Sequence, residues 1–269
     1  MQTVLYRVYS VGMIEWEESN PVNGGRVFYT QETDSTMTLA RSGIPAGQAP
    51  AAVVAGYQRS GRGRSLGRTW VSPPDESLLV SFTLERKQFA LPPQVLPLVT
   101  GLGVARFLER DMGLVPAIKW PNDVLVTERK ICGILCESAA GHYLVGIGLN
   151  IWERAFDASL QRRLFPPVSL LQACGLTRPD RDQLAAENRT MLKGLLAHLA
   201  FAYRDPGWHG QIQQRLYGLG RPVCFRAGAA DAGENEAVIV SGTLQGITVD
   251  GGALIDDSAW YAGEIESFG

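Results

Sequence analysis

Cysteine and histidine are scarce. Four cysteines (Cys132, Cys136, Cys174, Cys224) and three histidines (His142, His198, His209) are scattered along 269 residues, with no Cys-x-x-Cys or His-x-x-x-His spacing. Neither a structural zinc site nor a disulfide framework is expected, and Cys132 and Cys136, inside an apolar run, read as small core residues. Net charge is close to nil at −2, with 19% charged and 45% hydrophobic residues, which excludes disordered, collagen-like and coiled-coil chains. No apolar stretch reaches the roughly 18 residues of a membrane-spanning helix. No basic head precedes an apolar core at the start of the chain, so a soluble, cytoplasmic protein without a membrane partner is expected. The phosphate-loop pattern Gly-x4-Gly-Lys-Ser/Thr is absent, and internal repeats are absent too.

Local charge is more telling. Glu15, Glu17 and Glu18 make the N-terminal segment acidic, whereas Arg59, Arg62, Arg64 and Arg68 fall within a stretch that contains no acid before Pro74. Around these, strands are predicted at Val27–Gln31, Ala51–Ala55, Ser77–Leu84, Val124–Val126, Lys130–Glu137 and Tyr143–Ile151. Helices are predicted after Asp34-Ser35-Thr36, whose side chains suit a cap, across Gln94–Arg110 and across Arg181–Tyr203. Strands and helices mix within one region of about residues 28–205, the pattern of an α/β (α+β) sheet domain. Beyond Asp205-Pro206-Gly207, short β-prone runs (Val223–Arg226, Ala237–Leu244, Gly246–Val249, Ala253–Asp256) predict a small barrel or sandwich. That unit is too small for a robust core of its own, so it is expected to dock on the rest. Residues 1–206 are therefore assigned to a main domain, with 1–26 as an N-terminal extension, and 207–269 to a C-terminal one.

Three constellations carry chemistry. In Gly61-Arg62-Gly63-Arg64-Ser65-Leu66-Gly67-Arg68-Thr69-Trp70, glycines permit close backbone approach and arginines present forked donors to phosphate or carboxylate. No acid in the local sequence compensates these charges, which favours an anion site over a solvated loop or a nucleic-acid tail. In Lys119-Trp120-Pro121-Asn122-Asp123, proline stops a strand and a turn presents an amide and a carboxylate; an ordinary β-turn explains that segment equally well when taken alone. Lys130 opens an apolar strand in which Gly133 leaves room for a ligand or a neighbouring backbone. Val145-Gly146-Ile147-Gly148-Leu149-Asn150 pairs two glycines with a terminal asparagine, marking close packing or a ligand wall.

Together these segments resemble the biotin–protein ligases. The resemblance runs in order from Asp34-Ser35-Thr36 through Gln58, the Gly-Arg-Gly-Arg loop, Lys119–Asp123 and Arg129–Glu137 to Gly146-x-Gly148-x-Asn150, covering about residues 30–151. It implies a biotin/lipoate-ligase-like catalytic domain with a mixed sheet flanked by helices, followed by a small SH3-like β-barrel, and an enzyme that uses ATP and Mg2+. Biotin would be activated to biotinyl-5′-AMP and passed to a lysine on the biotin carboxyl carrier domain of acetyl-CoA carboxylase or a related carboxylase. By the same resemblance, Ser35, Thr36, Gln58, Arg62, Gly63, Arg64, Lys130 and Gly133 bind biotin, with Ile134 and Leu135 as an apolar wall. Arg62, Arg68, Trp70, Asn122 and Asn150 lie on the nucleotide side. Lys130, Arg64 and Asp123 act in catalysis, and no metal ligand is assigned.

Three positions depart from the family's pattern. Met37 follows Ser-Thr where asparagine is common, the arginine loop is one residue longer, and Cys132 replaces a smaller residue. The segment 61–68 is expected to order when biotinyl-AMP binds. A lipoate- or octanoate-type acyl-adenylate ligase shares the fold class and stays open as an alternative. So does a biotin-responsive transcriptional repressor, although the 33 residues before Asp34 contain no basic recognition helix and DNA binding is not expected. A homodimer is compatible with all of these.

Overall fold

The computed structural model describes residues 12–44, 51–64, 68–89, 91–228 and 238–269. Residues 1–11 of the expected extension, residues 65–67 of the arginine loop and Ala237 lie outside the described residues. The chain opens with strand β1 (Met13–Asn20), which turns at Asn23-Gly24 into β2 (Gly25–Thr33). Helix α1 (Thr36–Gly43) then crosses over to β3 (Ala51–Gln58), which lies parallel to β2. A two-stranded ribbon, β4 (Gly61–Arg62) and β5 (Thr69–Trp70), leads to β6 (Ser77–Glu85). Helix α2 (Leu96–Arg110) precedes β7 (Pro116–Lys119), β8 (Asp123–Val126), β9 (Arg129–Ala139) and β10 (His142–Asn150). Eight of these strands form one mixed sheet in the order β1-β2-β3-β6-β10-β9-β8-β7.

Met13–Asn20, together with Gly25 and Arg26 at the start of β2, are thus part of the sheet rather than an appendage. Three glutamates hide the strand pattern of β1, but Trp16 turns inward and stacks on Tyr29 at 5.1 Å. Arg26 takes up Glu15, while Arg189 and Lys193 take up Glu18. Charge pairing across elements lets an acidic edge strand join the sheet.

The sheet's two faces differ. On one face, Val145, Ile147 and Leu149 join Leu78, Val80 and Phe82 beneath α2 and α5 (Leu184–Ala202). The two helices approach closely at Gly103, where an added Cβ would stand 2.6 Å from Leu199 Cδ2. On the other face, Met37 and Ala40 of α1 pack on Val53 and Leu144, and the bare positions of Gly146 and Gly148 continue along the same strand. β6 is buried on both sides: Leu78, Val80, Phe82 and Leu84 enter the helix-covered core, while Leu79, Ser81 and Thr83 lie on the α1 face beside Gly148, Gly146 and Leu144.

After α3 (Ala158–Gln161), α4 (Leu170–Cys174) and α5, helix α6 (Trp208–Arg215) precedes a second sheet. Only Trp208 and Ile212 of α6 are buried, too few apolar positions to betray a helix in the sequence. The second sheet contains β11 (Pro222–Ala227), β12 (Val238–Ile247), β13 (Ala253–Ile255), β14 (Ser258–Trp260) and β15 (Gly263–Phe268), in the order β14-β13-β12-β11-β15. The run expected as a separate strand from Gly246 instead begins inside β12, because the register shift between Leu244 and Gly246 bends that strand without ending it. Val223, Phe225, Leu244 and Ile265 share one core with Leu98, Val99 and Leu102 of α2. Trp120 is the pivot, fully buried against Phe225 and donating its indole N–H to the Gly251 carbonyl at 3.0 Å.

One buried acid couples this fold to pH. Glu153 is 1% exposed; Ser77 Oγ donates to its Oε1, and its Oε2 has no hydrogen-bond partner among the described residues. Burial pushes its carboxyl from an ordinary value of 4.5 up to about 7, against the opposing hydrogen bond from Ser77. The folded state therefore holds the proton more tightly than the unfolded chain. Its contribution to stability is complete below the unfolded value and fades as pH rises to the folded one, by about 3 kcal/mol at most. Chemical denaturation of Glu153→Gln between pH 4.5 and 7 should show this fall removed; parallel profiles for variant and wild type would contradict it. Gly103→Ala should overpack the α2–α5 contact and cost about 1–3 kcal/mol, read as a lower denaturation midpoint, whereas an unchanged midpoint would place the helices further apart.

Candidate active site

The glycine-bearing face of the large sheet floors a cavity of about 700 Å3, walled by the arginine ribbon, by α1, by the segment around Phe165 and by the edge of the second sheet. Ser35, Thr36, Gln58, Arg62, Gly63, Arg64, Arg68, Trp70, Asn122, Asp123, Lys130, Gly133 and Asn150 all line it. Residues more than 100 positions apart in sequence therefore meet in one place.

At the α1 end, Thr36 donates from its backbone N–H and its hydroxyl to Gln58 Oε1, at 2.8 and 3.0 Å, and its hydroxyl also meets Ser81 Oγ at 2.7 Å. Gln58 therefore has its oxygen engaged, and its amide nitrogen lies beside Gly61, 3.1 Å from where a Cβ there would stand. Ser35 occupies the N-cap position, but its hydroxyl does not cap the helix as the sequence suggests. That hydroxyl is buried with no hydrogen-bond partner among the described residues. A polar group in that state is ready for a ligand.

On the floor, Trp70 lies against Gly133 and Gly148; an added Cβ on Gly148 would stand 2.7 Å from its Cε2, and one on Gly133 3.0 Å from its Cζ3. The room left by Gly133 is thus taken by Trp70 and by Lys130, whose Nζ would lie 3.2 Å from that Cβ. Met37 covers Gly146 in the same way. Ile134 departs from expectation: its side chain belongs to the core under α2, and Leu135 alone turns to the α1 face.

Cations converge beyond Trp70. A two-residue turn with positive φ at Thr127 and Glu128 joins β8 to β9 and sets Lys130 beside Asp123, Nζ to Oδ1 2.6 Å. Burial pushes the Asp123 carboxyl up, but Lys130 and Lys119 more than offset this, with help from Arg64, and hold it below its ordinary value. Burial likewise depresses Lys119, only partly countered by Asp123 and Glu264, while Lys130 and Arg64 add to the depression. Arg64 is depressed by burial against the pull of Glu264 and Asp123. Lys119 also faces the Phe165 ring at 5.4 Å.

The arginines are compensated after all, by acids distant in sequence. Arg64 donates to the Gly263 carbonyl at 2.7 Å and lies 3.7 Å from Glu264; Arg68 pairs with Glu264 at 2.8 Å; Arg62 pairs with Glu137 at 3.1 Å. Arg59 pairs with Glu32 and Asp34 and is not among the cavity's lining residues. Asn122 and Asn150 spend their NH2 groups on backbone, on the Ile134 carbonyl at 2.7 Å and on the Val168 carbonyl at 3.0 Å, so they brace the walls around Lys130.

Two parts of the wall escaped the sequence reading. Phe156, Leu160, Leu164 and Phe165 form an apolar strap, pinned where Lys130 N–H donates to the Pro166 carbonyl at 2.9 Å. Its only signal was two aromatics and two prolines in a polar stretch. Glu264 is the other, brought by β15 from the far end of the chain. Among the described residues, no group of three or more His, Cys, Asp or Glu gathers to cage a metal ion.

The model of the biotin/lipoate A/B protein ligase family matches residues 28–151. The bifunctional ligase/repressor BirA of Escherichia coli is 32% identical over 255 residues, covering 91% of this chain and 74% of that protein. A biotin–[acetyl-CoA-carboxylase] ligase of Paracoccus denitrificans is 31% identical, covering 83% of this chain and 90% of that one. Among solved structures, the biotin protein ligase of Aquifex aeolicus in complex with biotin and ATP superposes with a TM-score of 0.68 at 30% identity, over 90% of this chain and 98% of that one. The chain belongs to the biotin/lipoate A/B protein ligase family and, within it, to the biotin–protein ligases.

Proposed function

We propose that this ligase activates biotin with ATP as biotinyl-5′-AMP and hands the acyl group to a lysine of a biotin carboxyl carrier domain, that of acetyl-CoA carboxylase or a related carboxylase. The observation that carries the proposal is the convergence of Lys130, Lys119 and Arg64 on the buried Asp123 within one cavity. In the first step a carboxylate oxygen of biotin attacks the α-phosphorus of ATP. A new P–O bond forms, the bond to the β-phosphate oxygen breaks, and pyrophosphate leaves with the electron pair. Two like charges about 4 Å apart repel by roughly 4 kcal/mol at an effective dielectric of 20, and fixed cations in a dry site are the means to offset it.

Lys130 is the group suited to bridge the biotin carboxylate and the α-phosphate, with Arg64 beside it and Arg62 and Arg68 further along the ribbon. Ser35 Oγ, the Gln58 amide and Thr36 supply polar partners for the ureido ring, and Leu135 and Trp70 supply apolar contact for the ring and valeryl chain. The strap of Leu164 and Phe165 offers an apolar face to a nucleobase. In the second step the acceptor amine attacks the acyl carbon, a C–N bond forms, and the mixed anhydride releases AMP. Asp123, ionised and beside the cations, is placed to hold the acceptor's proton. Magnesium fits here as the nucleotide's own counter-ion, since Asp123 and Glu264 are both engaged by cations and no protein cage surrounds an ion among the described residues. The Aquifex structure with biotin and ATP and the carboxylase named for the Paracoccus relative support this choice of reactants.

Purified protein should exchange labelled pyrophosphate into ATP only when biotin is present. Lys130→Ala and Arg64→Ala should each lower that exchange on the order of 100-fold. Exchange supported by octanoate or lipoate and not by biotin would overturn the choice of acid, and full activity in Lys130→Ala would overturn the role of that lysine.

A further inference from the structure

The arginine ribbon is tied down at its root by a carboxylate for which the reaction has no direct use. Along β9, Gly133, Leu135 and Glu137 turn to the ligand face: Gly133 lies under Trp70, Leu135 packs with α1, and Glu137 reaches back over the same face. The two oxygens of Glu137 are divided. Oε2 takes Arg41 from the last turn of α1, and Oε1 takes Arg62 at 3.1 Å. The Glu137 side chain is 20% exposed and that of Arg62 50%, so the carboxylate is the fixed partner and the guanidinium the group being placed.

We propose that Glu137 is a positioning residue for biotin capture, acting through Arg62, which it fixes to the sheet beside Gln58 and Thr36 before any ligand arrives. This rests on reading the cavity as the biotin and ATP site. A free arginine side chain must surrender its rotamer entropy when it meets a ligand, and anchoring it beforehand removes that cost from binding. Arg41 on the second oxygen stops the carboxylate from swinging away. Because two guanidiniums share one carboxylate, the cluster keeps a net positive charge toward an incoming anion. Arg62 is also the second residue of β4, in register with Thr69 of β5, so fixing it steadies the base of the ribbon that carries Arg64 and Arg68.

The test is steady-state pyrophosphate exchange against biotin concentration for the full chain, with thermal unfolding measured alongside. Glu137→Gln should raise the KM for biotin by roughly 3- to 10-fold, leave kcat within about twofold and leave Tm unchanged. Arg62→Gln should raise KM by a similar factor, and the double variant should add nothing further, the signature of one residue acting through the other. An unchanged KM in Glu137→Gln, a lowered KM, additive effects in the double variant, or a loss confined to Tm and kcat would each overturn the proposal. Should Glu137→Gln not fold, Arg62→Lys, which keeps the charge without the fork, should give an intermediate KM; a wild-type KM in it and in Arg62→Gln would overturn the proposal equally. Wild-type protein without biotin-dependent exchange would instead sink the reading of the site, so the two failures are distinguishable.

Discussion

Repulsion between two anionic reactants is the constraint around which this molecule is arranged. A carboxylate cannot approach a polyphosphate unless positive charge is already in place, and mobile surface cations in water are too well screened to supply it. The protein buries Lys119 and Arg64, where burial strengthens their fields, sets the half-buried Lys130 beside them, and balances all three with Asp123 and Glu264. Burying cations alone would be ruinous for stability; burying them against carboxylates is tolerable. The acids are therefore as much a part of the site as the cations.

That requirement explains why the second sheet cannot be a loose appendage. Glu264 comes from β15, and the Gly263 carbonyl beside it accepts from Arg64. Trp120, only three residues before Asp123, anchors the Lys119–Asp123 turn on Phe225 and Gly251. The core that joins α2 to β11, β12 and β15 thus fixes the relative placement of cations from one sheet and their counter-charge from the other. Loss of register between the sheets would leave Arg64 without its acid.

Much of this was legible in the sequence, and the reason is chemical. Glycine alternating with arginine, a lysine heading an apolar strand and a glycine-punctuated strand ending in asparagine are patterns with few structural uses. The residues given biotin, nucleotide or catalytic roles line the cavity, whereas Arg59 lies outside it and the Ile134 side chain turns to the core. Strands β2, β3, β6, β8, β9 and β10 of the large sheet followed from apolar runs. What stayed hidden depends on partners remote in the chain. Glu137 and Glu264 look like ordinary surface acids until the fold sets them against Arg62, Arg64 and Arg68. β1 was masked by glutamates whose neutralising cations Arg26, Arg189 and Lys193 come from elsewhere. α6 and the strap near Phe165 show too little periodicity: α6 buries only Trp208 and Ile212, and none of the strap's apolar side chains is buried.

The most direct measurement is a crystal structure of the protein with a non-hydrolysable biotinyl-adenylate analogue. The account requires the analogue's carbonyl and phosphate surrogate to lie within hydrogen-bonding distance of both Lys130 and Arg64, with the ureido ring at Ser35 and Gln58. An analogue bound elsewhere, or bound in the cavity with Lys130 and Arg64 still turned wholly to Asp123 and Glu264, would contradict it.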